Sequence, residues 1–284
     1  MKKEMIFGIL FSTMVIGVFA QETADVASYR IGNMEIFMLV ESQRDGNAGI
    51  LVGADDALLK RYIPASGFKH STNIFLVKAN GKHILIDTAF GGASFESMKA
   101  LWVSPESVDA ILITHLHGDH IGGLLKDGKP VFPKAKIYLS RKEYDYFTKT
   151  NPNQGAVAAL AAYGNRVETF EPGELGGKLT ELLPGITPIA NYGHTPGHTV
   201  FLLEDKGQKF LVIGDLLHVA LVQFPVPDIS ATYDMDQKAA AAVRRQILDY
   251  AAKNMVPIGG MHMVYPGMGM VENDGNGFKL VPLK

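Results

Sequence analysis

The stretch that most constrains this chain is His115-Leu116-His117-Gly118-Asp119-His120, which follows an apolar run from Val108 to Ile113 and one threonine. A β-branched run ending in Ile111-Leu112-Ile113 reads as a buried strand. Past its end, His115 and His117 are two residues apart, so an extended backbone points both imidazoles to one side. Gly118 permits the tight turn that brings Asp119 and His120 back toward the same point. Adjacent side chains diverge, so Asp119 and His120 can face a second ion while His115 and His117 hold a first. Imidazole and carboxylate donors suit zinc, with iron, manganese or cobalt as other choices. For a single histidine, a hydrogen-bonded surface residue is the better reading. Three histidines and an aspartate at one strand end outweigh it.

A dinuclear centre needs about two further histidines and one bridging carboxylate. The chain has nine histidines and no cysteine, so thiolate ligands and disulfides are both out. The remaining candidates sit where strands end: Gly193-His194-Thr195-Pro196-Gly197-His198-Thr199, Gly214-Asp215 and Gly260-Met261-His262. With His115-x-His117-x-Asp119-His120, their order, spacing and flanking glycines resemble the dinuclear hydrolase branch of the metallo-β-lactamase superfamily, over nearly the whole mature chain. The segment Lys209 to Pro225 is similar, more narrowly, to the methyl parathion hydrolase group, whose close relatives are the N-acyl homoserine lactonases.

That resemblance implies an α/β fold, the αβ/βα four-layer sandwich, and two divalent ions per chain, zinc first. It implies His115, His117 and His194 on one ion, Asp119, His120 and His262 on the other, and Asp215 bridging both. His198 falls to a structural role. Asp87, in Asp87-Thr88-Ala89 where the family usually has glycine at the third place, supports the site rather than binding metal. His70 and His83 receive no ligand role. His218 stands three residues after the bridging aspartate, where several homoserine lactonases carry a substrate-touching tyrosine. The methyl parathion hydrolase pattern has histidine there, so lactonase machinery does not transfer whole.

Two cations acidify a shared water, whose hydroxide can attack an ester or lactone carbonyl or a phosphotriester phosphorus. Asp119 is the candidate to take and return a proton, and His218 the candidate to orient substrate. Zinc β-lactamases lack the bridging aspartate and often use cysteine, and glyoxalase II binds glutathione through basic residues near its C-terminus. Here the tail after His262, Met263-Val264-Tyr265-Pro266-Gly267-Met268, is apolar, which suits an acyl chain or aryl group. The expectation is lactone or ester hydrolysis, N-acyl homoserine lactones (quorum quenching) first, with organophosphate triester hydrolysis as the alternative. A formal net charge of −2 gives no electrostatic footprint for nucleic acid or acidic membrane. A small, neutral, apolar substrate is expected instead, and a homodimer is allowed.

Lys2 and Lys3 precede an apolar run from Met5 to Phe19, and Val18-Phe19-Ala20 offers a cleavage site before Gln21. Residues 1–20 therefore read as a signal peptide, too short to span a membrane convincingly. One hydrolase domain follows over 21–284, in an exported protein, periplasmic or extracellular, with no stable membrane insertion after processing. Within it, Ala27 to Glu41 reads as a strand or hairpin turning at Gly32-Asn33. Ser42 to His70 reads as a helical turn and loop. Thr72 to Lys78 and His83 to Asp87 form a hairpin around Asn80-Gly81. A loop and short helix over Phe90 to Val103 carries large apolar residues suited to core or pocket. A strand is expected over Lys136 to Leu139, then helices over Arg141 to Phe147 and Gln154 to Tyr163. Strands over Leu182 to Asn191, Thr199 to Leu203 and Phe210 to Ile213 repeat the earlier hairpin. The longest helix spans Met235 to Ala252, with Asp234 or Asp236 near its start, and Met255 to Gly259 is expected as the last core strand.

Overall fold

The computed structural model describes residues 26–283, so the expected signal segment lies outside the described residues. A seven-stranded sheet is laid down in chain order: β1 (Val26–Ile31), β2 (Met34–Asp45), β3 (Lys69–Ala79), β4 (Lys82–Ile86), β5 (Ala110–Leu112), β6 (Lys136–Ser140) and β7 (Val167–Phe170). A six-stranded sheet does the same with β8 (Ile186–Ala190), β9 (Thr199–Asp205), β10 (Gln208–Val212), β11 (Ile258–Gly259), β12 (Met268–Asp274) and β13 (Gly277–Pro282). β1 to β4 pair antiparallel, β1–β2 and β3–β4 as hairpins, while β4 to β7 and the β10–β11 pair run parallel. The helices in chain order are α1 (Asp56–Tyr62), α2 (Ala93–Ala100), α3 (Gly118–Ile121), α4 (Arg141–Asp145), α5 (Gln154–Tyr163), α6 (Ala220–Gln223) and α7 (Gln237–Asn254).

Strand periodicity decides the layers. Ile74 and Leu76 of β3 face a core shared with the helices α2 (Ala93–Ala100) and α5 (Gln154–Tyr163), while Phe75 and Val77 face the other sheet. In the second sheet Phe201, Leu203, Phe210 and Val212 meet that central layer, and Val200, Leu202 and Leu211 pack on α7 (Gln237–Asn254) through Ile247 and Leu248. Alternate residues of a strand point to opposite faces, so both sheets are apolar on both sides. The product is helix, sheet, sheet, helix: the four-layer αβ/βα sandwich.

Four expectations change. The helical turn and loop expected over Ser42 to His70 is trimmed at both ends, because β2 runs on to Asp45 and β3 starts at Lys69. The strand expected from Leu182 begins only at Ile186, because Leu182 and Leu183 turn back on Ile186 through backbone hydrogen bonds. Met255 is not a strand residue: it takes a left-handed conformation that stops α7, leaving only Ile258–Gly259 in β11. Nor is β11 the last core strand, since β12 and β13 follow as a hairpin around Gly275-Asn276. The asparagine–glycine cluster there was a readable turn signal, but Met268-Gly269-Met270 before it reads as an apolar tail. Of the apolar residues over Phe90 to Val103, Phe95 and Met98 are core, whereas Trp102 is 93% exposed.

Candidate metal centre

One end of the sandwich collects the ends of strands from both sheets. His115 and His117 lie in the loop after β5, and Asp119 and His120 in the short helix α3 (Gly118–Ile121) that follows. His194 sits between β8 and β9, Asp215 just past β10, and His262 just past β11. All seven expected residues come together: His115, His117, His194 and Asp215 in one group, Asp119, His120 and His262 in the next. His83 is elsewhere, its Nδ1 3.2 Å from Ser107 Oγ.

The spacing of the donor atoms separates a metal cage from a hydrogen-bond cluster. His115 Nε2 and His117 Nδ1 are 3.0 Å apart, and His194 Nε2 lies 3.2 and 3.1 Å from them. Each imidazole turns one nitrogen inward, and that atom has either one lone pair or one proton, so three mutual contacts cannot all be hydrogen bonds. Nitrogens about 2.0–2.1 Å from a tetrahedral zinc would stand roughly 3.3 Å apart, close to what is seen. In the second group His120 Nε2 and Asp215 Oδ1 are buried without a hydrogen-bond partner although only 3.1 Å apart. Orphaned buried polar atoms are costly unless something else binds them. Asp215 Oδ2 meanwhile lies 3.3 Å from His194 Nε2 and 3.1 Å from His262 Nε2, so its carboxylate touches both groups. The donor set fits two divalent cations.

The outward nitrogens are held too. His120 Nδ1 is 2.6 Å from Asp87 Oδ2, whose carboxylate also accepts Thr114 N–H and the Thr114 hydroxyl. His262 Nδ1 donates to the Ser71 carbonyl at 2.8 Å, and His194 Nδ1 lies 3.0 Å from Asp234 Oδ1. Such partners fix ring orientation and leave the inward nitrogen as donor to metal. Asp87 and Ala89 take positive φ, 61° and 46°, at the bend where a glycine was expected. His198 is structural: Nδ1 faces the Asn191 carbonyl at 3.0 Å and Nε2 accepts the Asp215 N–H at 2.9 Å.

Burial pushes His117 and His218 down to about 4 and His198 to about 3. For His194 burial pulls the same way, yet its hydrogen bonds to Asp215 and Asp234 win and raise it to about 9. Burial would raise Asp215, but His120, His262 and His115 around it hold the carboxyl well below its usual range. Asp215 is therefore an anion among imidazoles, the electrostatics a dication requires.

The centre opens into a cleft of about 390 Å³ bordered by Arg44, His70, Asp119, His218 and Tyr233. His218 Nε2 is 3.3 Å from Asp215 Oδ2, and Asp119 keeps 31% of its side chain exposed. His218 and His262 also border a second space of about 350 Å³, whose other walls include Phe68, Val219, Leu221, Met263 and Val264. Sequence reasoning singled out neither Arg44 nor Tyr233, and gave His70 no ligand role. His70 stacks on His262 with ring centres 4.5 Å apart. Of the two aspartates read near the start of the longest helix, Asp236 caps α7, while Asp234 is buried between His194 and Arg244. No pattern in the chain marked Arg44 or Tyr233, which meet the centre only through the fold.

The model of the metallo-beta-lactamase superfamily matches residues 67–259, more than half of the chain. The chain belongs to this superfamily. It is 29% identical over 148 residues to the uncharacterized protein YobT of Bacillus subtilis (strain 168), covering 50% of this chain and 60% of YobT. The crystal structure of the hydrolase AbOPH superposes with a TM-score of 0.83 at 29% identity, over 93% of this chain and 99% of that one. AidC, a dizinc quorum-quenching lactonase in complex with a product, superposes with a TM-score of 0.78 at 25% identity over the same shares.

Proposed function

We propose that this protein is a metal-dependent hydrolase that uses two divalent ions, zinc first, to open lactones or cleave esters of small, neutral, apolar compounds. N-acyl homoserine lactones are the first choice. The observation that carries this reading is the junction of two spaces. Seven ligand-type side chains gather at one strand-end cluster, and the cleft above them shares His218 and His262 with an apolar groove. An acyl or aryl group can lie in that groove while its carbonyl stands over the cluster. The likeness to the lactonase AidC supports the same choice.

His115, His117 and His194 would hold one ion, Asp119, His120 and His262 the other, with Asp215 shared. When bound, such ions acidify water and polarise a carbonyl oxygen. Asp119, partly exposed at the floor of the cleft, takes and returns the proton. His218, fixed beside Asp215 and bordering both the cleft and the groove, orients the substrate. Asp87, Asp234 and the Ser71 carbonyl hold the imidazoles in place. Phosphotriester hydrolysis is the second reading, favoured by a histidine at position 218 where a lactonase tyrosine would stand.

The test compares kcat/KM for acyl homoserine lactones, aryl esters and methyl paraoxon on purified protein, with elemental analysis alongside. Two ions per chain and a preference for lactones or esters are expected. Asp215→Ala should lower both occupancy and rate, while His83→Ala should change neither. One ion or none after metal-supplemented purification would sink the dinuclear assignment. A phosphotriester value far above every lactone and ester would overturn the choice of substrate.

A further inference from the structure

Glu143 is fully buried although it lies in the first turn of a helix, α4 (Arg141–Asp145), that starts at the end of β6 and continues as a π-helical segment over Tyr146–Thr150. No ion pair holds it among the described residues; its partners are donors on two separate loops. Oε1 accepts the Leu116 N–H at 2.9 Å, between His115 and His117. Oε2 accepts the Thr195 hydroxyl at 2.7 Å and the Gly197 N–H at 2.9 Å, in the loop that carries His194. The first loop leaves the seven-stranded sheet and the second the six-stranded one. A backbone bond from Thr199 N to Thr114 O joins their bases. Glu143 joins them at the level of the ligands.

The fit is close. A Cβ on Gly197 would overlap the backbone nitrogen of Glu143 and lie 2.6 Å from its Cβ, so this glycine lets the loop rest on α4. A carboxylate buried this deeply is expensive to desolvate, and burial does push the Glu143 carboxyl up. A residue that served packing alone would be apolar.

We propose that Glu143 is a positioning residue that sets the distance between the His115–His117 pair and His194, and so the affinity of the first metal position specifically. This rests on the dinuclear reading above. Both oxygens accept from backbone N–H groups, which can only donate. A glutamine has one acceptor oxygen and must turn an N–H against an N–H on one side. Losing the support behind metal ligands weakens binding on the order of 10- to 100-fold. The second position, built on Asp119, His120 and His262, has other supports in Asp87 and Ser71.

The experiment titrates zinc against a competing chelator in the wild type, Glu143→Gln and Tyr163→Phe, and records Tm of each metal-free form. Tyr163→Phe removes the buried hydroxyl that donates to the Leu124 carbonyl and accepts the Phe132 N–H, none of which hydrogen-bonds a proposed ligand, and controls for general destabilisation. The expected result is one of two ions weakened by a factor of about 10–100 in Glu143→Gln, with both unchanged in Tyr163→Phe. Should Glu143→Gln fail to fold, Thr195→Val removes one donor only and should weaken the same ion by a smaller factor. Two wild-type-like affinities in whichever variant folds overturn the proposal, as does equal weakening of both ions. A wild type that binds fewer than two ions overturns the dinuclear reading itself.

Discussion

His218 is the residue on which the chemistry of the centre can be separated from its construction. It is buried, touches the Asp215 carboxylate and borders both the cleft and the apolar groove. Its Nδ1 has no hydrogen-bond partner, which leaves one polar atom for a ligand. Removing a hydrogen bond that acts in the transition state costs about 2–4 kcal/mol, roughly a hundredfold or more in rate. His218→Ala should therefore depress kcat for acyl homoserine lactones about that much while elemental analysis still finds two ions. Packing alone would make lactone and phosphotriester rates fall together and modestly. Unchanged lactone turnover would remove His218 from the mechanism.

At the scale of elements, the helix α7 is what holds the His194 loop. Gly193 takes φ +134°, and a Cβ there would sit 2.6 Å from Ala240 Cα, so only glycine lets the loop meet the helix so closely. The helix is capped by Asp236, whose side chain accepts the Ala239 N–H. It then sends Arg244 inward. That guanidinium is 1% exposed and donates to the Leu216, Pro227 and Ile229 carbonyls and to Asp234, which in turn holds His194. Removing one member of a buried pair leaves an uncompensated charge and costs about 3–5 kcal/mol. Arg244→Met should lower the unfolding midpoint in urea accordingly, with the slope unchanged; a loss under 1 kcal/mol would show Arg244 is dispensable.

For the whole molecule, metal and protons compete for one cluster. With His194 raised to about 9 and His120 well above its ordinary value, both carry protons at pH 7 in the metal-free protein. Ligands bind metal only when deprotonated, so uptake should release protons and affinity should fall as the pH drops. Calorimetry in two buffers of different ionisation enthalpy measures this, and uptake without net release at pH 7 would contradict it. The sign for stability is the reverse. A raised His194 contributes stability to the metal-free fold that is fully present below pH 6.5 and lost as the pH rises through about 9. Export is a separate question. Among the described residues no helix is long and apolar enough to cross a membrane, and the Lys2-Lys3 start with the run to Phe19 predicts a mature N-terminus at Gln21. Mass spectrometry of the protein from its own cells should find that terminus; an intact Met1 to Ala20 segment counts against cleavage.

The spacing of His115, His117, Asp119 and His120 was legible in the chain because a strand end and one glycine turn are local geometry. The hairpins at Gly32-Asn33 and Asn80-Gly81 were legible for the same reason: two turn residues set the register of the strands beside them. Distances between loops are not local. Nothing near Glu143 or Asp234 distinguishes them from surface carboxylates, since their partners lie 27 to 54 residues away for Glu143 and 40 for His194 beside Asp234. The β12–β13 hairpin was missed because Met268-Gly269-Met270 carries no alternation until β11 beside it supplies a partner. Local sequence decided which side chains could bind metal. Only the packing of the two sheets decided how far apart they stand, which carboxylates hold them there, and which apolar walls face them, because those are contacts between segments far apart along the chain.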